Sequence, residues 1–117
     1  MKKRTIADYI QDIIDTVDLA ILFVEGMTFE DFCQDTKTIL AIERAIQIIG
    51  EAAKKIPESI RKQYPEIPWR NITGMRDKVT HEYFGINLKL LWDTTTQNLP
   101  QLKILMPQIL ENVENAE

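Results

Sequence analysis

Apolar residues recur at spacings of three and four along most of this chain, and no segment alternates convincingly with the period of two that a half-buried strand requires. From Thr5 to Glu25, Ile6, Ile10, Ile13, Val17, Ala20 and Val24 form one helical stripe. Thr5 with Asp8 gives a start signal and Gly26 a stop. Thr28 to Gln34 predicts a turn or two of helix beneath Phe29 and Phe32. Asp35 or Thr36 then caps a helix reaching Lys55, with Ile39, Ile42, Ile46, Ile49 and Ala53 on its apolar face. Pro57 suits the first position of a short helix ending before Tyr64-Pro65, and Pro65 and Pro68 hold "YPEIPW" extended. A helix from Pro68 to Tyr83 follows, ended by Gly85. Asn87 caps another, from Leu88 to about Gln97. Asn98 and Pro100 mark a fresh start, and Pro107 is expected to bend or end the last piece. The pattern predicts an all-α bundle of about five helices with a broken or kinked C-terminal helix, in one domain spanning 1–117.

Length and composition fit that picture. A chain of 117 residues, 44% hydrophobic and 27% charged, can bury a core of its own. The basic start "MKKRTIADYI" resembles a leader peptide, but Asp8, Asp12 and Asp15 interrupt the apolar run. No stretch reaches the roughly 18 to 20 apolar residues of a membrane span. The single cysteine, Cys33, allows no internal disulfide and reads as a small buried hydrophobe. The expectation is a cytoplasmic protein with no membrane partner. Net charge is −4, which argues against a general nucleic-acid binder. The charge is segregated, however: residues 54–89 hold eight basic and four acidic residues, and the remainder six and fourteen. A local anion site in the middle third fits this distribution, as does a solvated face.

Most catalytic chemistries lack their parts. The four glycines are scattered and form no phosphate-binding loop. One histidine and one cysteine cannot build a clustered metal site, and the single serine, Ser59, has no second histidine to spare for a triad. What remains is "GMRDKVTHEYFG" (74–85). His81 is the one side chain whose ordinary pKa, about 6.5, suits proton transfer near neutrality. Arg76 offers a planar fork of donors for a phosphate or its charged transition state. Together they are a minimal kit for metal-free RNA cleavage: one group moves a proton at the ribose 2′-OH or the leaving 5′-oxygen, and the other steadies charge on phosphorus. Arg and His five apart on a helix also occur in ordinary structure, so the pair alone leaves both readings open.

Helix geometry narrows the choice. Ile72, Met75, Val79 and Tyr83 share the face expected to meet the core, while His81 lies about 180° from Ile72, beside Gly74. An outward histidine next to a glycine predicts close approach of a second copy across a two-fold axis, which would also supply a second histidine. Asp77, four residues before His81, stands within reach of its imidazole. Arg70 and Lys78 could extend a phosphate track or be solvated. Trp69 and Trp92 are better suited to anchoring helices than to stacking bases. Arg44 and Glu51, seven apart on one helix face, suit a structural ion pair or an interface.

Three segments, "AIERAIQIIGEAAKKIP" (41–57), "YPEIPWRNITGMRDKVTHEYFGIN" (64–87) and "NLPQLK" (98–103), resemble in order and spacing the landmarks of the HepT-like proteins of the HEPN superfamily. The resemblance implies a HEPN-type bundle that forms a homodimer, with a cleft at the interface and the signature Arg, four residues, His, one residue, Tyr on Arg76, His81 and Tyr83. It implies a metal-independent endoribonuclease toxin that needs no cofactor, encoded beside a minimal nucleotidyltransferase antitoxin. That partner would silence it by adding AMP to Tyr83. Arg76 and His81 would be catalytic, with Asp77 supporting His81. A non-catalytic helical partner or substrate of such a nucleotidyltransferase is the competing expectation.

Overall fold

The computed structural model describes residues 3–81 and 87–116, with Thr80 and His81 as backbone only. Among the described residues every regular element is helical, and none is a strand. The elements are α1 (Ile6–Phe23), α2 (Phe29–Gln34), α3 (Thr36–Lys54), α4 (Glu58–Arg61), α5 (Trp69–His81), α6 (Leu88–Asp93), a π-helical turn (Thr94–Asn98) and α7 (Leu99–Ala116).

The ends form where local chemistry dictates. Thr5 and Thr28 each accept from the backbone N–H three residues on, while Asp8 and Asp31 reach back to the cap N–H groups. Asp35 caps α3 by accepting from the Thr38 N–H, and Asn87 caps α6 by accepting from those of Lys89 and Leu90. Gly26 turns the chain after α1 at φ +78°, a left-handed conformation that favours glycine. Pro57 stands just before α4 as its cap rather than as its first residue.

α1 packs against α3 and α7, and α3 packs against α5. Ile6, at the start of α1, borders the same surface cavity as Asn112 and Ala116 near the end of α7, so these two helices are antiparallel. Trp69 and Thr73 at the start of α5 border one surface cavity with Glu58 and Lys62, just beyond the end of α3, so α5 runs back along α3. The core is a column of aliphatic side chains with 0–1% exposure, including Ile10, Ile13, Ile42, Ile49, Leu91, Leu102 and Ile109. Each contributes roughly 1.5–3 kcal/mol by leaving water.

α6, the π turn and α7 follow one another without a gap. The break expected at Asn98 and Pro100 is thus a widened turn rather than an interruption. Pro100 has no N–H and its ring would strike the Thr96 carbonyl in a regular α-helix. Instead the Leu99 N–H reaches back five residues to the Thr94 carbonyl, and the Thr95 and Thr96 hydroxyls donate to the carbonyls of Leu91 and Trp92, both at 2.8 Å. The widening also sets the phase of the core face. Leu91, Thr95 and Leu99 are all buried at successive spacings of four. In a regular helix that spacing drifts by about 80° over eight residues, whereas a turn of about 4.4 residues cancels most of the drift. Pro107 lies inside α7, which continues past it to Ala116, so it does not end the helix.

Candidate active site

The helix that carries the candidate residues is pinned at its start. Trp69 is 9% exposed and its indole N–H donates to the Tyr64 carbonyl at 3.1 Å. Trp92 packs on Phe29 and Phe32 with ring centroids 6.2 and 5.4 Å away. Both tryptophans therefore anchor elements of this bundle. Ile72, Met75 and Val79 are buried, as the helical pattern predicts.

Arg76 occupies the border between α5 and α3. The two helices meet at Gly50, where an added Cβ would stand 2.1 Å from Arg76 Cβ and 2.8 Å from its Cγ. Only a residue without a side chain permits this approach. The arginine stem thus crosses the bare backbone of α3, and its side chain is 26% exposed. At its head, Nη1 lies 3.1 Å from Asp77 Oδ1 and Nη2 lies 3.6 Å from Glu51 Oε1. Its Nε–H is shut off from solvent without an acceptor among the described residues.

Asp77 receives a second cation, since Lys54 Nζ donates to the same Oδ1 at 2.8 Å. The hydrogen bonds from Lys54 and then Arg76 hold the Asp77 carboxyl below its ordinary value. The described partners of Asp77 are therefore Lys54 and Arg76. Its expected contact with His81 lies outside the described residues, because α5 includes position 81 as backbone only. Tyr83 lies outside them altogether, as does the expected helix end at Gly85.

Sequence reasoning missed Gly50 and Lys54, and of its two expectations for Arg44 and Glu51, an ion pair or an interface, the ion pair between them does not form. Glu51 turns to Arg76, while Arg44 reaches Gln47 at 3.5 Å. A signal for Gly50 was present: a glycine within the helical run "IQIIGEAAK" costs about 1 kcal/mol against alanine, so a close helix approach is its natural justification. On the opposite side of α5, Arg70 and Lys78 border one groove together with Gly74. Nothing described lies within 4 Å of a Cβ built on Gly74, so the described residues leave space beside it.

The described residues thus bring together an arginine braced by two carboxylates on one helix border and, behind it, a groove bordered by Arg70 and Lys78. Residues 6–109 match the family described as "Ribonuclease HepT-like", and the chain belongs to this HepT-like ribonuclease family. It is similar to a "Probable ribonuclease HepT" of Thermococcus cleftensis, 46% identical over 101 residues that cover 86% of this chain and 92% of the relative. It is also similar to a "Putative RNase" of Methanocaldococcus jannaschii, 37% identical over 117 residues covering 100% and 97% of the two chains. Another "Putative RNase", from Caldanaerobacter subterraneus subsp. tengcongensis, is 38% identical over 108 residues, covering 92% and 96%. No solved structure matches the chain. No helix among the described residues is long and apolar enough to cross a membrane.

Proposed function

We propose that this chain is a metal-independent RNA endonuclease acting in the cytoplasm as the toxin of a toxin–antitoxin pair, with its site completed at a homodimer interface. The observation that carries the reading is the bracing of Arg76 by Gly50, Glu51 and Asp77, five residues before His81 on the same helix. His81 moves the proton. As base it takes the ribose 2′-OH proton while the oxygen attacks phosphorus, and as acid it protonates the 5′-oxygen as the P–O5′ bond breaks. Arg76 neutralises charge on the non-bridging oxygens, and Asp77 supports His81 while tying Arg76 in place. DNA, lacking the 2′-OH, is not a substrate.

The two-chain site is supported by geometry. Positions 76 and 81 are about 140° apart on a helix, so one copy of α5 directs them to different sides. Arg76 of one copy and His81 of the other can then act on one phosphate. Tyr83 is the hydroxyl beside the substrate and the position at which a minimal nucleotidyltransferase antitoxin adds AMP. That group brings bulk and negative charge to a phosphate-binding cleft and blocks it.

Cleavage of varied RNAs by unmodified wild type, H81A and R76A tests the assignment. Loss in both variants is expected, and activity that persists in both rejects the site. Mixing H81A with R76A chains should restore part of the activity if the residues act across the interface. An intact-mass increment of one or more AMP units after exposure to the nucleotidyltransferase, absent in Y83F, checks the modification. No cleavage of any RNA by unmodified wild type would favour a helical binding partner instead.

A further inference from the structure

The face of α5 turned away from α3 borders a groove of about 380 Å³, whose other wall is α6 and the π turn. That volume falls within the range of small-molecule sites. Half-buried Leu90 and the small exposed edge of Met75 supply apolar surface, Asn71 and Asn98 line it with amides, and Arg70 and Lys78 stand along it. The chain holds 18 acidic residues, yet no carboxylate is among the described residues lining this groove. Arg70 and Lys78 are eight residues apart on α5, about 12 Å along its axis, a span that their long flexible side chains shorten by leaning toward one another to reach successive phosphates. The amides of Asn71 and Asn98 take part in no hydrogen bond with other described residues, so both can donate and accept toward a ligand. Lys78 is three residues before position 81, so the groove leads toward the proposed proton-transfer residue.

We infer that this groove is a nucleobase subsite: one unpaired base of an RNA strand lies on Met75 and Leu90, its edge meets Asn71 and Asn98, and the flanking phosphates meet Arg70 and Lys78. The inference rests on the ribonuclease reading and extends it, because it places base selection on the α5–π-turn face. Apolar surface accepts a base face, amides read its edge, and cations fix the backbone without sequence preference. Single-stranded RNA is thereby preferred over duplex, whose bases are not free to enter.

Gly74 makes the test possible, since it borders the groove and a Cβ added there meets no other described residue within 4 Å. The probe is a fluorescent single-stranded RNA with 2′-O-methyl riboses, which cannot be cleaved, in four homopolymer forms. Anisotropy is read for the full chain as wild type, Gly74→Leu and Asn98→Ala. Gly74→Leu is expected to weaken binding of the best homopolymer at least about tenfold, in keeping with loss of a stacked base. Asn98→Ala is expected to flatten the preference among the four while retaining binding to all. Wild-type affinity in Gly74→Leu, or an unchanged base preference in Asn98→Ala, overturns the subsite. Gly74→Leu that changes the oligomeric state assigns the groove to a second copy and overturns it too. A wild type that cleaves RNA while these variants bind normally overturns the subsite alone, whereas a wild type that neither binds nor cleaves RNA removes the ribonuclease reading with it.

Discussion

Arg76 lays the first carbons of its side chain directly on the backbone of Gly50, closer than any side chain at that position would permit. The contact fixes where the guanidinium starts, and Glu51 and Asp77 fix where it ends. Gly50→Ala would gain about 1 kcal/mol of helix propensity but forces α3 and α5 apart. The overpacking cost is about 1–3 kcal/mol, and a contact as short as 2.1 Å belongs at the upper end. Net destabilisation is expected in a urea melt, together with reduced cleavage, because the arginine stem moves with its helix.

Arg76→Lys separates charge from shape. Lysine retains the cation but cannot present two parallel donors to a phosphate. A fall of about 100-fold in cleavage is expected, the scale of losing one oriented transition-state donor. Helicity by circular dichroism should be unchanged. Near-normal cleavage by the lysine variant would mean that only a point charge is required there.

Lys54→Met tests the grip on Asp77. Without the leading hydrogen bond, the Asp77 carboxyl should titrate nearer its ordinary value, followed by carboxyl carbon NMR. The sign for stability follows from the lowered folded-state value. The wild-type contribution is complete above the unfolded-state value and is lost as pH falls through the lower folded one. Wild type and variant should therefore converge in strong acid and differ at neutrality. Equal stability at neutrality would show that the pair contributes nothing to the fold.

Glu43 presents the opposite case. It is 9% exposed on α3, makes no hydrogen bond or ion pair with another described residue, and burial pushes its carboxyl above the ordinary value. Burying the ionised form costs stability above the folded-state value, and the cost disappears as pH falls below the unfolded one. Glu43→Gln should raise stability at neutral pH by on the order of 1 kcal/mol, with the gain vanishing in acid. A denaturant midpoint lowered by the substitution at neutral pH would reveal a partner for the charge.

Much of this architecture is legible in local sequence. The capping boxes at Thr5 and Thr28, the Asp35 and Asn87 caps and the turn at Gly26 depend on residues within a few positions of one another. Ile72, Met75 and Val79 follow the helical period into the core. The bracing of Arg76 depends on residues 25 and 26 positions away on another helix, and no spacing rule within one helix finds Glu51 or Gly50 as its partners. Asp77 illustrates the same limit, because its neighbour across the helix border, Lys54, is invisible to a helical wheel drawn for α5 alone. The π turn escaped because Asn98 and Pro100 carry the composition of a helix start, while the spacing of four that keeps Leu91 and Leu99 in phase is equally consistent with a slowly drifting α-helix.

That turn makes one wall of the groove tolerant of a change in chain length. Thr94 and Asn98, four residues apart on it, both border the groove. Removing a single residue between them would let the helix tighten to regular α geometry, in which the seven remaining steps from Leu91 to Leu99 turn through about 700°, within about 20° of two full circuits. Leu91 and Leu99 would keep their common face and Leu90 its side of the groove. What would change is Pro100, whose ring would then meet the carbonyl four residues before it. The extra residue thus spares the helix a proline kink without altering which side chains it buries.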